Sequence, residues 1–237
     1  GELHALRDPH LRPGTHRLRW GQWNLQTFDL NQPEAKIENL ELLLQTHPTV
    51  LNTHLAIVRT RFNEAALVQV GQRWMTVGPN QLRAFWRGFI EVEAHLFNLE
   101  ETLELPTVFV QQLRNTPPEG VQMVQVSEAE IGLLYEQDNF IRPLEPGEYG
   151  FWAFGRKVNV KCFDHTKPTP SFPLEDALIE RHPDFIAAYC EVVQLSTTEV
   201  AIARDKGKAI AVLPPCSRKL FWKGVAWSVQ ESARPVQ

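Results

Sequence analysis

The sequence predicts an α+β fold that is mostly β, made of small β-hairpin and β-sheet units in tandem, joined by short helices. Three observations predict it. The pair Phe-Trp occurs at 85–86, 151–152 and 221–222, each time shortly after a proline. The segments around each pair alternate apolar and polar residues, as half-buried strands do. The marker prolines recur with a period of about 67 residues, the signature of a repeated unit. These almost evenly spaced prolines are Pro13, Pro79, Pro146 and Pro215.

The longest internal match joins residues 42–89 to residues 177–225. His47-Pro48 aligns with His182-Pro183, and the alignment continues without a gap until a single inserted residue near Gly207. Apolar positions coincide along both stretches. We therefore expect the two stretches to superpose as one unit.

Each unit is predicted to contain about four short strands. In residues 199–229, the alternating runs EVAIARD and KAIAVL flank a Lys-Gly turn and predict a hairpin. Pro214-Pro215 ends the second run, because proline lacks the N–H that a strand ladder needs. The stretches LFW and VAWSVQ then predict two further strands.

Short helices are predicted between the groups of strands. IENLELLLQT (37–46) and LEDALIERH (174–182) carry apolar residues at helical spacing and run into His-Pro. Proline clashes with a preceding helical turn and is favoured at the first position of a new helix. His47-Pro48 and His182-Pro183 are therefore predicted helix breaks. Each histidine is expected to cap the next helix by accepting a backbone N–H, with metal binding as the alternative.

These boundaries divide the chain into four parts. The parts are a partial opening unit at 1–36, a first full unit at 37–98, a second unit with a longer linker at 99–165, and a third unit at 166–237. The opening unit lacks the first strand of its hairpin. Because an open strand edge is seldom left bare, another segment or a neighbouring chain is expected to cover it.

The aromatic pairs are predicted core anchors. Aromatic side chains bury large areas, and a small unit has few other ways to build a core. The alternative is an exposed aromatic patch that contacts a partner. The residues concerned are Phe85, Trp86, Phe151, Trp152, Phe221 and Trp222.

Composition excludes several classes of function. Of the 237 residues, 43% are hydrophobic and 22% charged, which is ordinary for a globular protein. A net charge of −4 makes a nucleic-acid partner unexpected. No apolar run approaches the roughly 20 residues that cross a bilayer. Cys162, Cys190 and Cys216 lie far apart without metal-ligand spacing. We therefore expect reduced thiols, a cytosolic compartment, and no metal or cofactor.

One residue pair could carry nucleophilic chemistry. Cys216 and His182 belong to the same unit, and a histidine that lowers a thiol pKa can make cysteine a nucleophile. The first unit, however, has Asn80 at the position of Cys216. The pair is therefore not shared between units, and a hydrolase centred on Cys216 is only an alternative.

Two charged stretches also have simpler explanations. Glu100, Glu101 and Glu104 could provide paired carboxylates, but acidic residues are also favoured in the first turn of a helix, where we expect them. The basic and aromatic stretch SRKLFWK (217–223) could suggest single-stranded nucleic acid. In an acidic protein, a solvated strand edge is the expected explanation.

Two stretches resemble bacterial slipins, the stomatin-like members of the SPFH (band 7) superfamily. Residues 130–164 show a carboxylate before a Gly-Leu-Leu strand, a polar turn, Leu-x-Pro-Gly, an aromatic pair and a V-x-V-x-x-x-D strand. Residues 42–68, with the following Phe-Trp-Arg-Gly, resemble the repeated N-terminal region of some bacterial slipins. The resemblance covers most of residues 3–165. After Asp164 the chain begins another unit where a slipin enters its SPFH core, and the long helical segment of that superfamily is absent.

The resemblance implies a membrane-associated scaffold without catalytic chemistry. The chain is therefore expected to be a non-enzymatic assembly module that acts through protein self-association. Its expected location is cytoplasmic and peripheral to the inner face of a membrane, with membrane contact made through regions outside this chain. A module that binds a ligand or a protein in clefts between units, and the hydrolase centred on Cys216, are the alternatives.

Overall fold

The structure of the chain is a computed structural model that describes residues 28–29, 31–88, 90–167, 176–223 and 227–233, with backbone alone at 176–178 and 227–233. Antiparallel strands dominate these residues and short helices connect them, which confirms the predicted α+β, mostly β class. The chain forms two compact units, which we call unit 1 and unit 2 to distinguish them from the repeated units predicted from the sequence. Unit 1 is Gly1–Leu103 with Pro118–Gly120, and unit 2 is Glu104–Pro117 with Val121–Gln237. Pro13 and most of the predicted opening unit, with its missing strand, lie outside the described residues.

Unit 1 contains two helices and the first strand set. The helices are α1 (Leu40–Thr46) and α2 (Pro48–His54). The strands are β1 (Leu55–Arg59), β2 (Glu64–Val70), β3 (Arg73–Val77), β4 (Leu82–Trp86) and β5 (Val92–Asn98). Strands β1 and β4 form a two-stranded antiparallel sheet, and β2 is the middle strand of a β3-β2-β5 sheet.

Unit 2 contains the second strand set, which follows the single helix α3 (Thr107–Leu113). The strands are β6 (Val121–Val126), β7 (Glu130–Glu136), β8 (Asn139–Leu144), β9 (Gly147–Trp152) and β10 (Val158–Asp164). Here β6 pairs with β9, and β7 is the middle strand of a β8-β7-β10 sheet.

The third strand set, also in unit 2, follows a pair of helices. The helices are α4 (Asp176–Arg181) and α5 (Pro183–Tyr189). The strands are β11 (Cys190–Gln194), β12 (Glu199–Asp205), β13 (Lys208–Leu213), β14 (Arg218–Trp222) and β15 (Trp227–Ala233). Strand β11 pairs with β14, and β12 is the middle strand of a β13-β12-β15 sheet.

Each strand set has five strands, where the sequence predicted about four. The additional strand is β1, β6 or β11, which pairs along its whole length with the strand that carries Phe-Trp. Leu55 thus lies opposite Trp86, and Cys190 lies opposite Trp222. The aromatic strand therefore belongs to a sheet of its own, separate from the hairpin sheet.

A glutamate closes the turn before the middle strand of each set. Its carboxylate accepts a hydrogen bond from the backbone N–H three residues earlier, and its own N–H donates to the carbonyl of that residue. The carboxylate bonds are Arg61 N–H to Glu64 (2.9 Å), Ser127 N–H to Glu130 (3.2 Å) and Ser196 N–H to Glu199 (2.7 Å). This reciprocal pairing explains why a carboxylate precedes each of these strands.

Helix α1 ends at Thr46 and α2 begins at Pro48, and α4 and α5 are divided in the same way around His182. The prediction that the histidines cap the second helices is wrong, because neither side chain makes a capping hydrogen bond. The Nδ1 atom of His47 lies 2.8 Å from the Thr46 hydroxyl, and the His182 ring packs against Phe140. Proline favours the start of α2 and α5, because its φ is already suited to a helix and its missing N–H would have no partner in the first turn.

The acidic stretch before α3 also differs from its prediction. The first turn of α3 contains no acidic residue, because the helix begins only at Thr107, after Pro106. Glu104 instead forms an isolated bridge with Phe151 of β9 and an ion pair with Arg142. Glu104 therefore contacts the second strand set through its backbone and its carboxylate, and it lies outside the helix.

Candidate functional site

Phe221 and Trp222 are neighbours on β14 and, because strand side chains alternate, they point to opposite faces of its sheet. Both are almost fully buried. Phe221 lies between the two sheets of the third strand set, in a cluster that includes Ala201, Ala203 and Leu213. Trp222 lies in a different cluster, on the other side of the β11–β14 sheet.

The cluster around Trp222 joins the second strand set to the third. We call it the seam cluster, and its buried members are Ile131, Leu133, Phe185, Ile186, Cys190, Leu220 and Trp222. The first two belong to β7, and the others come from α5, β11 and β14. The outer face of the β8-β7-β10 sheet is therefore covered by the helix and the two-stranded sheet of the following set.

Helix α5 contributes to the seam cluster through one of its faces. Phe185 and Tyr189 are four residues apart, and Ile186 is three residues before Tyr189, so all three lie on the same side of the helix. Phe185 and Ile186 are buried and Tyr189 is half-buried. Sequence reasoning assigned α5 only as a connector, although this spacing is the signal that could have identified its docking face.

Aromatic rings of both sets meet at the seam cluster. Phe140 of β8 lies edge-on to His182, with ring centroids 4.4 Å apart and planes at 80°. It also contacts Phe185 at 5.5 Å and Tyr135 at 5.8 Å. Edge-to-face pairs of this kind add about 0.5–1.5 kcal/mol to the energy of burial. His182 thus serves as an aromatic contact at the seam.

A polar rim borders the seam cluster. The Tyr189 hydroxyl donates to the Glu145 carboxylate at 3.2 Å, and the Tyr149 hydroxyl donates to the Glu145 carbonyl at 2.8 Å. Arg142 pairs with Glu104 and lies over the Tyr149 ring, 5.9 Å from its centroid. Burial raises the pKa of both tyrosines, and the negative charge of Glu145 raises them further. The phenols therefore remain neutral hydrogen-bond donors.

The other aromatic pairs are buried to different extents. Phe151 and Trp152 are fully buried, and so is Phe85, which packs between the two sheets of the first strand set. Trp86 is only half-buried, and it packs against a small cluster of Ala35, Leu55 and Ala84. Its ring also contacts Phe28, at a centroid distance of 5.1 Å.

The marker prolines of the described residues lie in the turns before the Phe-Trp strands. Asn80 follows Pro79 with φ 54°, and Cys216 follows Pro215 with φ 60°, both in the left-handed region. The N–H of Asn80 donates to the Arg61 carbonyl, and the N–H of Cys216 donates to the equivalent Ser196 carbonyl. Asparagine tolerates this conformation better than most residues, so Cys216 occupies a turn position suited to asparagine.

Among the contacts of the described residues, none joins Cys216 to His182. Cys216 is exposed at its turn, and His182 lies against Phe140. Cys162 is exposed as well, whereas Cys190 is buried in the seam cluster, where burial raises its pKa to about 12. All three cysteines are free thiols.

The described residues contain no group of three or more histidine, cysteine, aspartate or glutamate side chains that could hold a metal ion. None of their helices is long and apolar enough to cross a bilayer. What they do provide is a large apolar contact between strand sets, bordered by tyrosine, glutamate and arginine. No family model matches the chain, and no characterised protein or solved structure matches it at a significant level.

Proposed function

We propose that this chain is a non-enzymatic scaffold module, built from tandem copies of one small unit, that works through self-association. The proposal includes a slipin-like role at the cytoplasmic face of a membrane, in line with the resemblance described above. It rests first on the equivalence of the strand sets, and then on the apolar way in which they join.

The observation that carries the proposal is the shared strand register of the second and third sets. Gly132 of β7 pairs with Leu144 of β8. When the two sets are aligned so that Gly132 falls on Ala201, Leu144 falls on Leu213. Leu213 is the residue that pairs with Ala201 in the third set. Both hairpins contain a register shift at the same aligned position. It lies between Leu134 and Tyr135 in the second set and between Ala203 and Arg204 in the third. The outer pairings of β10 and β15 follow the same alignment. Two unrelated segments would have no reason to share a bulge.

The first and third sets support the same equivalence. When His47-Pro48 is placed on His182-Pro183, helix α2 and strands β1 and β2 coincide with α5, β11 and β12 from end to end. Strand β4 coincides with β14 once the single inserted residue near Gly207 is allowed for. The sequence aligns with itself in the same way, and the strand order within each set is also the same.

The way these units join favours a scaffold. In a tandem array each unit contacts its neighbours through a repeated surface, and stability is the sum of unit and interface terms. The seam cluster is such a surface, since it buries aromatic and aliphatic side chains from two strand sets. Scaffolds act through surfaces of this kind, and contacts between copies of one chain can bury the same types of side chain.

Binding of the chain to itself tests the proposal. One population would be immobilised through a terminal tag and exposed to untagged chain by biolayer interferometry, with an unrelated β-rich protein of similar charge as the control. The scaffold function predicts saturable binding of the untagged chain. A signal equal to the control at the highest soluble concentration would contradict it.

A binding module is the second candidate, because the polar rim brings Glu145 of the second set to Tyr189 of the third. A ligand held there would contact both phenols and the Arg142 guanidinium. A thermal-shift screen of small anions and aromatic compounds would examine it, with Tyr189→Phe as the matched variant. A ligand that stabilises the parent chain and not this variant would favour the binding module.

A further inference from the structure

The third strand set builds its sheets and its inner core from its own residues. Within the described part of the chain, β11 pairs with β14, and β12 pairs with β13 and β15, so every ladder of the set joins two of its own strands. The core between these two sheets contains Phe221 with Ala201, Ala203 and Leu213. The described strands of the set therefore close their sheets and bury Phe221 without a strand of the second set.

The second and third sets meet through side chains of the seam cluster. Ile131 of β7 is 8% exposed and Phe185 of α5 is 5% exposed in this cluster. At its rim, the Tyr189 hydroxyl donates to the Glu145 carboxylate at 3.2 Å. Among the described strands, no ladder crosses the seam. Opening the seam would therefore separate side chains while both strand sets keep their backbone pairings.

The covalent connection between the two sets is long enough to reach a second chain. It runs from Lys167, after β10, to Asp176, where α4 begins. The eight residues between them lie outside the described residues, and three of them are prolines, at 168, 170 and 173. Nine steps along an extended chain span at most about 30 Å. That distance is close to the diameter of a small domain.

We propose that two copies of this chain associate by exchanging their third strand sets, so that the third set of each chain docks on the second set of the other and re-forms the seam. This inference rests on the proposed self-association and specifies its surfaces. The two surfaces are complementary, because they already pack together within one chain. Reciprocal exchange closes a two-fold dimer in which each chain contributes both surfaces.

The monomer and the exchanged dimer contain the same number of seams per chain. Their relative populations therefore depend on protein concentration, because two chains lose translational and rotational freedom when they join. The seam must also open before it can form again, since Phe185 and Trp222 are buried in the closed chain. Exchange is therefore slow and reversible, and high concentration favours it.

Two variants, each with one damaged seam surface, test the exchange. Ile131→Asp places a carboxylate on the surface of the second set, and Phe185→Asp places one on the surface of the third set. Burying an unpaired charge disfavours the seam, so each variant alone should be monomeric. In an equal mixture, the intact second set of the Phe185→Asp chain can bind the intact third set of the Ile131→Asp chain. Sedimentation velocity of the mixture should show heterodimers that do not grow further.

The heterodimer should also be tighter than the parent dimer. It gains a seam that neither variant forms within its own chain, whereas the parent dimer replaces two seams with two others. Heterodimers should therefore form at a concentration at least about tenfold lower than parent dimers, a difference that corresponds to about 1.4 kcal/mol. Association through a different surface predicts no such gain in the mixture.

Exposed apolar residues outside the seam cluster provide matched controls. Val108→Asp and Ile210→Asp add the same charge at residues that are 56% and 43% exposed, and both should associate like the parent chain. Circular dichroism melts should show all four variants folded. If either seam variant is unfolded, Ile131→Ala and Phe185→Ala take the place of the aspartates, because they weaken the same surfaces without burying a charge.

The outcomes for the parent and the mixture separate this inference from the proposed function. A parent chain that associates while the mixture forms no heterodimers, or seam variants that each associate like the parent, would overturn the inference and leave the proposed function intact. A parent chain that stays monomeric at every concentration would overturn both.

Discussion

Phe221 and Trp222 are adjacent on β14, yet their rings lie in two separate hydrophobic clusters. The phenyl ring packs inside its own strand set, and the indole packs against the preceding set. This dipeptide thus contributes to the core of the third strand set and also to its contact with the second set. The double role explains why two large aromatic residues are adjacent on β14.

Truncating the two tryptophans should have unequal effects. Trp222→Ala is expected to lower the free energy of unfolding by roughly 3–5 kcal/mol, because a fully buried ring is lost from the seam cluster. Trp86→Ala should cost clearly less, since Trp86 is half-buried. Guanidinium unfolding curves give both values. Equal losses would show that Trp86 and Trp222 contribute equally to the free energy of unfolding, as the sequence pattern alone predicted.

Cys190 should report opening of the seam. It is buried and its pKa is raised to about 12, so very little thiolate forms at neutral pH, and alkylation should be much slower than at the exposed Cys162 and Cys216. In the Trp222→Ala variant, Cys190 should react faster. Mass spectrometry of iodoacetamide-treated protein follows each site. Rapid modification confined to Cys216 would instead favour the hydrolase alternative.

Because of Glu199, the free energy of unfolding should depend on pH in the acidic range. Hydrogen bonds from Ser196 hold the pKa of this carboxyl below its ordinary value. The pKa of Glu199 is lower in the folded protein than in the unfolded chain. The stabilisation that its carboxylate gives the fold is therefore fully present above the ordinary pKa of about 4.3, and it is lost as the pH falls through the folded pKa. Glu199→Gln should therefore destabilise the protein at neutral pH and much less at about pH 3. Urea unfolding measures this.

The exposed Glu191, on the neighbouring strand β11, provides the control for that experiment. Glu191→Gln makes the same chemical change outside the turn and should leave the acid dependence as in the parent. If the two variants give parallel curves, the turn before β12 does not depend on its carboxylate.

Replacing Cys216 should make the folded protein more stable. Its φ of 60° lies in the left-handed region, where the equivalent residue of the first set is Asn80. Cys216→Asn is expected to raise the free energy of unfolding by about 0.5–1 kcal/mol, because asparagine accepts this conformation at lower cost. Thermal melts of the two proteins measure the difference. A lower melting temperature in the variant would mean that the thiol makes a contact worth more than the strain.

Local patterns predicted the hairpins well, because alternation and turn residues act over a few positions. The Lys206-Gly207 turn between β12 and β13, for example, has both residues in the left-handed region that such a tight turn needs. The helix break at His182-Pro183 was equally local, although its supposed cap was not found. Glu104 was placed wrongly because Pro106 determines where α3 starts, and the bridge to Phe151 comes from a strand far along the chain.

The seam could not be predicted in this way. The burial of Trp222 on the far side of the β11–β14 sheet depends on α5 and on the neighbouring strand β7, and no local pattern contains that information. The docking of α5 on β7 is likewise a tertiary contact between residues far apart in the sequence. Sequence periodicity indicated copied units, and only the structure indicated the surface between them.

The most direct test of the account is the mass of the whole chain in solution, measured by sedimentation velocity from low micromolar to high micromolar concentration. The weight-average sedimentation coefficient is expected to rise with concentration. A coefficient that stays at the value of a monomer throughout would contradict the claim that this protein is a self-associating scaffold.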